Sequence, residues 1–135
     1  MDSDSGWTFN LDSTYLRLRS DVSVEPLPVD GSFWRDMASG NLGTFHDEYL
    51  VSTHTYETDW NQWEMHPYGD EVVVLLSGAI NVLFQVDIGM RRTSLEKTGT
   101  FIIVPRGTWH TAEVLEPSTA LFITAGEGTQ HRAIE

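Results

Sequence analysis

From Thr44 onward the chain consists of short runs rich in Val, Ile, Thr, Phe and Tyr, separated by Gly, Pro, Asp and Asn. Runs of this kind are typical of antiparallel strands in an all-β sandwich or barrel, and helical periodicity is absent there. We predict strands over the residues 48–57, 62–66, 71–76, 79–86, 91–96, 101–103, 109–115 and 119–124.

The first 42 residues have a different texture, with Ser and Asp at the start and two prolines in the "VEPLPVDGS" segment. Within them we predict a strand at Tyr15–Leu18 and a short helix at Phe33–Ala38 that Gly40 would end. The chain therefore divides into an N-terminal arm (1–42), a β-domain (43–128) and a C-terminal tail (129–135).

Composition removes several classes of function. The chain of 135 residues has no cysteine, so disulfide scaffolds, thiolate metal sites and cysteine nucleophiles are excluded, and a metal would have to bind through His, Asp or Glu. A net charge of −12 repels phosphate backbones, and basic residues adjoin only at Arg91 and Arg92, so we expect no nucleic-acid partner. Since the start of the chain lacks a signal-like segment and the longest aliphatic run is Val72–Leu76, we expect a cytoplasmic protein without a membrane partner.

Candidate ligands crowd around one turn in "QWEMHPYGDEVVVLLSG", residues 62–78. Alternation along a strand places Glu64 and His66 on the same face, and the Pro67–Asp70 turn lets Glu71 return a carboxylate to the same space. Asp70 is an alternative to Glu71, although an acid at that position in a turn more often hydrogen-bonds to the local backbone. Further on, His110 follows the Gly107 turn, and a second strand pair could bring its imidazole from the opposite side.

These segments resemble the two motifs of the cupin superfamily, G-x5-H-x-H-x3,4-E-x6-G and G-x5-P-x-G-x2-H-x3-N. The matched residues are, in the first motif, His66, Glu71 and Gly78, and, in the second, Gly99, Pro105, Gly107 and His110. Three positions depart from the pattern, namely Glu64 for the first histidine, Val114 for the final Asn and Thr58 for the leading Gly.

The resemblance covers about residues 44 to 126 and implies a cupin-type double-stranded β-helix, a jelly-roll barrel, with a metal at its open end. It implies Glu64, His66, Glu71 and His110 as ligands of a divalent transition metal, and imidazole with carboxylate suits Fe, Mn, Ni, Co or Zn. Three acids beside one histidine would repel one another without a cation between them. The alternative is that Glu64 pairs with an arginine such as Arg106 and that no metal binds.

Three further residues are candidates for a substrate pocket, His54, Tyr68 and Trp109. His54 alternates with polar and aromatic residues in "LVSTHTYE", and this face could line a pocket or face solvent. His46 and His131 are expected at the surface. Trp60 and Trp63 are expected in the core or in a subunit contact, and Trp109 beside His110 is the tryptophan best placed to touch a ligand.

The function expected from these features is that of a metal-binding cupin acting on an oxygen-rich small molecule at the barrel mouth. Dioxygenase, isomerase and lyase chemistries all remain open, and in the last two Glu64 could serve as the catalytic base. The rival is a binding or sensing cupin without metal or catalysis, and a weaker one is a purely structural protein. Cupins commonly dimerise through an N-terminal strand, so we expect a homodimer, although the arm could equally wrap its own barrel.

Overall fold

A computed structural model describes residues 8–134, so residues 1–7 of the predicted arm and Glu135 of the predicted tail lie outside the described residues. The elements, in chain order, are β1 (Thr14–Leu18), β2 (Val24–Pro28), α1 (Phe33–Ser39), β3 (Tyr49–Tyr56), β4 (Gln62–Met65), β5 (Glu71–Gln85), β6 (Met90–Leu95), β7 (Phe101–Val104), β8 (His110–Thr124) and β9 (Gln130–Ala133). All strand pairs are antiparallel, and the described strands form an open sheet rather than a closed one.

The two long strands, β5 and β8, pair with each other along most of their length and organise the fold. Their pairing shifts register between Leu75 and Ile80, where both strands cross from one layer of the fold to the other. One layer has the order β2-β1-β3-β8-β5-β7, and the other contains β6, the second half of β5, the first half of β8, β4 and β9. This is a jelly-roll arrangement, as predicted.

The core lies between the layers and draws on both. Its buried side chains are Val73, Leu75, Ile80, Val82, Phe84, Leu95, Val104, Ala120 and Phe122. They alternate along β5 and β8 with residues that face outward, which is the period of two expected for strands with one buried face. One end of this core carries polar residues instead, and it is there that the candidate ligands gather.

Strand positions agree with the sequence prediction except at four places. The segments predicted separately at 71–76 and 79–86 form one bent strand, β5, and those at 109–115 and 119–124 form β8. β2 was not predicted because of Pro26 and Pro28, which the sheet tolerates because β2 is an edge strand that pairs only with β1. The predicted tail contains β9, which pairs with β4.

The arm lies against its own chain, with β1 paired to β3. A second buried apolar cluster, separate from the main core, joins Tyr15 and Phe33 of the arm to Leu50 of β3. Arg17 is fixed beside it, because its guanidinium lies 2.6 Å from the Glu48 carboxylate with both side chains largely buried. Among the described residues, no helix is long and apolar enough to span a bilayer.

Candidate metal centre

The turn between β4 and β5 carries three of the predicted ligands. Glu64 belongs to β4, His66 follows that strand directly, and Glu71 is the first residue of β5. His66 and Glu71 are buried, and Glu64 is partly exposed. Gly69 is required in this turn because a Cβ there would collide with the Cβ of Ala125.

His110 reaches the same place from β8. It is fully buried and lies opposite Glu64 in the pairing of β4 with β8. The two turns are tied together, because the N–H of Gly107 donates to the carbonyl of His66 at 2.9 Å. The second strand pair therefore delivers its imidazole from the opposite side, as the sequence suggested.

The four predicted ligands converge. His66 Nε2 lies 2.8 Å from Glu64 Oε1 and 3.2 Å from Glu71 Oε2, and His110 Nε2 lies 3.0 Å from Glu71 Oε1. One ligand atom from each of the four residues lies within 4.8 Å of the others. With metal–ligand bonds of about 2.1 Å, neighbouring ligands at right angles are about 3.0 Å apart, so the measured distances fit the edges of a coordination shell.

The buried polar atoms in this cluster support the same interpretation. Despite the short distances, His66 Nε2, Glu71 Oε1 and His110 Nε2 have no hydrogen-bond partner. Leaving a buried polar atom unsatisfied costs about 1 to 3 kcal/mol. A cation between the four residues would satisfy all three atoms, and imidazole with carboxylate is a donor set for Fe, Mn, Co, Ni or Zn.

Neighbouring groups fix the orientation of both imidazoles. His110 Nδ1 donates to the carbonyl of Thr108 at 3.1 Å. His66 Nδ1 lies 2.8 Å from the hydroxyl of Thr129, which itself donates to the carbonyl of Gly126, so the hydroxyl oxygen accepts from Nδ1. Both rings thus hold a proton on Nδ1 and direct Nε2 into the cluster, as in metal sites generally.

The carboxylates are ionised. Burial alone would raise the pKa of Glu71, but the imidazoles of His110 and His66 beside it outweigh burial and lower the pKa. The pKa of Glu64 is also lowered, because His131 and His66 outweigh the effect of burial. Burial would lower the pKa of His66, but the two carboxylates at its Nε2 raise it to about 9. Without a metal, the proton on His66 provides the positive charge that a bound cation would otherwise provide.

Asp70, the alternative ligand to Glu71, and Arg106, the alternative partner of Glu64, both lie outside the cluster of four residues. Asp70 accepts from the backbone N–H of Arg106 at 2.9 Å, a contact between two turns that are 36 residues apart and not the local turn contact anticipated as its alternative role. The Arg106 side chain also lies nearest Asp70, at 3.6 Å, rather than beside Glu64. Glu64 instead faces His66 and His131, whose Nε2 is 3.4 Å from Glu64 Oε2.

A cavity of about 650 Å³ opens beside the four residues. Of the three predicted pocket residues, His54 lines this cavity. Tyr68 and Trp109 are not among the residues that line it. Tyr68 is 63% exposed at the tip of its turn. Trp109 precedes His110, so strand alternation points it away from the cavity, where the Arg132 guanidinium lies 4.5 Å from its ring.

Several contributors to this site were not foreseen from the sequence. Trp34 of α1 and Trp60 line the cavity, and Thr129, Thr124 and His131 contact the candidate ligands. His131 was expected at the surface, and its side chain is indeed 49% exposed, but its contact with Glu64 depends on the pairing of β9 with β4. No local pattern marks Trp34, Thr124, Thr129 or His131, because each is brought in from a distant segment, whereas Trp60 lies four residues before Glu64.

The amino-acid sequence matches no protein-family profile and no curated protein. Solved structures with a similar fold include a cupin-2 domain protein from Shewanella frigidimarina, with 23% identity, a TM-score of 0.48 and alignment of 56% of this chain to 68% of that one. A hydroquinone 1,2-dioxygenase from Sphingomonas, solved with 4-hydroxybenzoate bound, has 21% identity, a TM-score of 0.48 and alignment of 56% of this chain to 58% of that one.

A third similar structure is peruvianin-I, described as a cysteine peptidase from the latex of Thevetia peruviana. It has 17% identity, a TM-score of 0.53 and alignment of 64% of this chain to 57% of that one. At identities this low, the likenesses concern the fold and carry no activity to this chain. The jelly-roll topology, with both motif segments meeting at one end of the core, makes this chain a small cupin-fold protein.

Proposed function

We propose that this chain binds a divalent transition metal through Glu64, His66, Glu71 and His110, and that it binds an oxygen-bearing small molecule in the adjoining cavity. The observation that carries the proposal is the convergence of three buried polar atoms without a hydrogen-bond partner. A bound metal would supply a Lewis acid or, if it is iron, a site for O₂.

The four proposed ligands differ in how far their side chains are exposed to the cavity. His66, Glu71 and His110 are at most 3% exposed, whereas the Glu64 side chain lines the cavity and is 26% exposed. Because its carboxylate is ionised and faces the ligand space, Glu64 is the residue we propose to accept a proton if the chemistry is a lyase or isomerase reaction. His131, 3.4 Å from Glu64 Oε2, would hold that carboxylate in place.

Elemental analysis of protein purified without a histidine tag tests the metal centre. We expect close to one equivalent of Fe, Mn, Ni, Co or Zn per chain, and loss of nearly all of it in His66→Ala and His110→Ala, because each removes an imidazole that no neighbour can replace. His46→Ala is the matched control, since His46 is exposed and pairs with Asp47 and Glu127 outside the cluster.

If the wild type contains none of these metals and takes up none of them, the metal proposal is wrong. The cavity would then belong to a binding or sensing protein in which protonated His66 balances the carboxylates. Retention of metal in both variants would also contradict the ligand assignment.

We also propose that the protein forms a homodimer through an uncharged outer face of the sheet, formed by β7 and the adjoining parts of β5 and β8. The outward residues of this face are Val72, Val74, Phe101, Ile103, Leu121 and Ile123. Phe101 and Ile103 are 58% and 55% exposed. In a chain with a net charge of −12, a face without charged residues is one where a second copy can approach without acid-to-acid repulsion.

Light scattering during size exclusion tests this face. We expect a dimer at micromolar concentration and a monomer for Ile103→Asp, because a buried, unpaired carboxylate in each subunit would oppose association. Ile88→Asp is the control, since Ile88 is 93% exposed in the β5–β6 turn and lies away from the face. A monomeric wild type, or a dimer that Ile103→Asp leaves intact, would contradict the proposal.

A further inference from the structure

The cavity wall beside the candidate metal centre is built largely from aromatic rings. The Trp60 ring lies 5.6 Å from that of Tyr56 and 5.9 Å from that of Phe122, and His54 lies 5.3 Å from Phe122, all between ring centroids. Trp34, from the arm, extends the wall beyond His54 at 5.4 Å. The volume of about 650 Å³ is that of an ordinary small-molecule site.

Charge within the cavity is balanced. No lysine or arginine is among the lining residues, and His66 and His131, which also line the cavity, already face carboxylates, so an anionic group would find no unpaired cationic side chain there. The carboxylate of Glu64 lies beside the imidazoles of His66 and His131, and that of Glu71 beside those of His66 and His110, so neither carboxylate faces a cationic ligand without a partner. A metal ion between the ligands would neutralise the same two carboxylates.

The remaining polar groups of the wall are uncharged. His54 Nε2 lies 3.2 Å from the Ser52 hydroxyl, while its Nδ1 has no hydrogen-bond partner among the described residues. The Tyr56 hydroxyl likewise has none among them, and Tyr56 lines the same cavity. Burial lowers the pKa of His54 and raises the pKa of Tyr56, so both side chains are neutral around pH 7.

We infer that this cavity selects a neutral, hydroxyl-bearing aromatic ligand, whose ring packs against Trp60, Phe122 and Trp34 and whose polar group hydrogen-bonds to His54 and Tyr56. This assignment deepens the proposed function by naming the class of its small molecule. Its aromatic and hydrogen-bonding parts depend on the wall and not on the metal, so they can be tested separately from metal binding.

Four matched probes separate the features of the ligand. They are para-hydroxybenzyl alcohol, its fully saturated cyclohexane analogue, para-hydroxybenzoate and para-hydroxybenzylamine, titrated by calorimetry into metal-free and Zn²⁺-treated protein. We expect the neutral aromatic alcohol to bind about tenfold more tightly than its saturated analogue, because tenfold corresponds to about 1.4 kcal/mol, which is within the range that stacking on aromatic rings contributes. We expect the anion and the cation to bind more weakly than the alcohol in the metal-free protein.

Two conservative variants test the polar contacts. His54→Phe keeps an aromatic ring and removes the ring nitrogens, and Tyr56→Phe removes only the hydroxyl. Each is expected to weaken binding of para-hydroxybenzyl alcohol about threefold to tenfold, which is the effect of one neutral hydrogen bond. Tyr68→Phe is the matched control and should leave binding unchanged, because Tyr68 lies outside the cavity.

The outcomes distinguish this inference from the metal proposal. Equal binding of the aromatic and saturated alcohols, or preference for the anion or cation in metal-free protein, would overturn the ligand class even if the protein binds Zn²⁺. Selective binding of the aromatic alcohol that depends on His54 and Tyr56 would support it even if no metal is taken up. The wild-type comparison of probes stands even if His54→Phe fails to fold.

Discussion

Removing the metal from loaded protein is expected to lower the melting temperature by about 10 °C. A ligand that binds only the folded state stabilises it by about 4 kcal/mol when present at a thousandfold excess over its dissociation constant. In a domain of this size, each 1 kcal/mol corresponds to about 3 °C. The effect is large because a bound metal satisfies three buried polar atoms that the protein leaves without hydrogen bonds. Calorimetric melts of loaded protein, with and without a chelator, measure the shift.

Comparing each variant with and without metal removes the variant's own effect on stability. His110→Ala should show almost no difference between the two melts, because one of the two imidazoles is gone. Thr129→Val should show an intermediate shift, because losing the hydroxyl that orients His66 Nδ1 weakens metal affinity by about tenfold to hundredfold. A wild-type melt that the chelator leaves unchanged would contradict metal binding at this site.

The positions of three of the four candidate ligands could be predicted because they depend on local rules. Alternation put Glu64 and His66 on one face, and the turn at Pro67 to Asp70 returned Glu71 to it. The same rule, applied to Trp109, places its side chain opposite to that of His110. His110 lies 39 residues after Glu71 and belongs to a second pair of strands. Local rules do not bring it to the other ligands, and the resemblance in motif spacing supplied that link.

What the sequence did not predict depends on contacts between distant segments. Thr129 reaches His66 across 63 residues, and Trp34 reaches His54 only because β1 pairs with β3 and brings the arm over the cavity. β9 was missed because all of its residues, Gln130 to Ala133, are exposed, so it has no apolar alternation to detect. The continuity of β5 was hidden by Gly78, which is usually a sign that a strand has ended.

Gly78→Ala is expected to destabilise the protein by more than about 3 kcal/mol, a loss that belongs to the most severe class of single substitutions. Gly78 has a φ of +89° and lies where β5 changes register against β8. A Cβ there would collide with the Ser118 hydroxyl and the Pro117 carbonyl, and would lie 2.7 Å from Ser118 Cα. The Ser118 hydroxyl cannot move away freely, because it accepts from the Ala79 N–H at 2.9 Å.

Gly89→Ala separates the two causes of this loss. Gly89 also has a positive φ, +78°, but a Cβ there would meet nothing within 4 Å, so only the backbone cost of about 1 kcal/mol remains. Chemical denaturation of both variants should therefore show a much larger drop in the free energy of unfolding for Gly78→Ala. Equal losses would mean that the close approach of β5 and β8 at Ser118 is not what requires glycine. A larger loss at Gly78 would explain physically why the first motif ends in glycine, since the long strands can cross between the two layers only where one of them lacks a side chain.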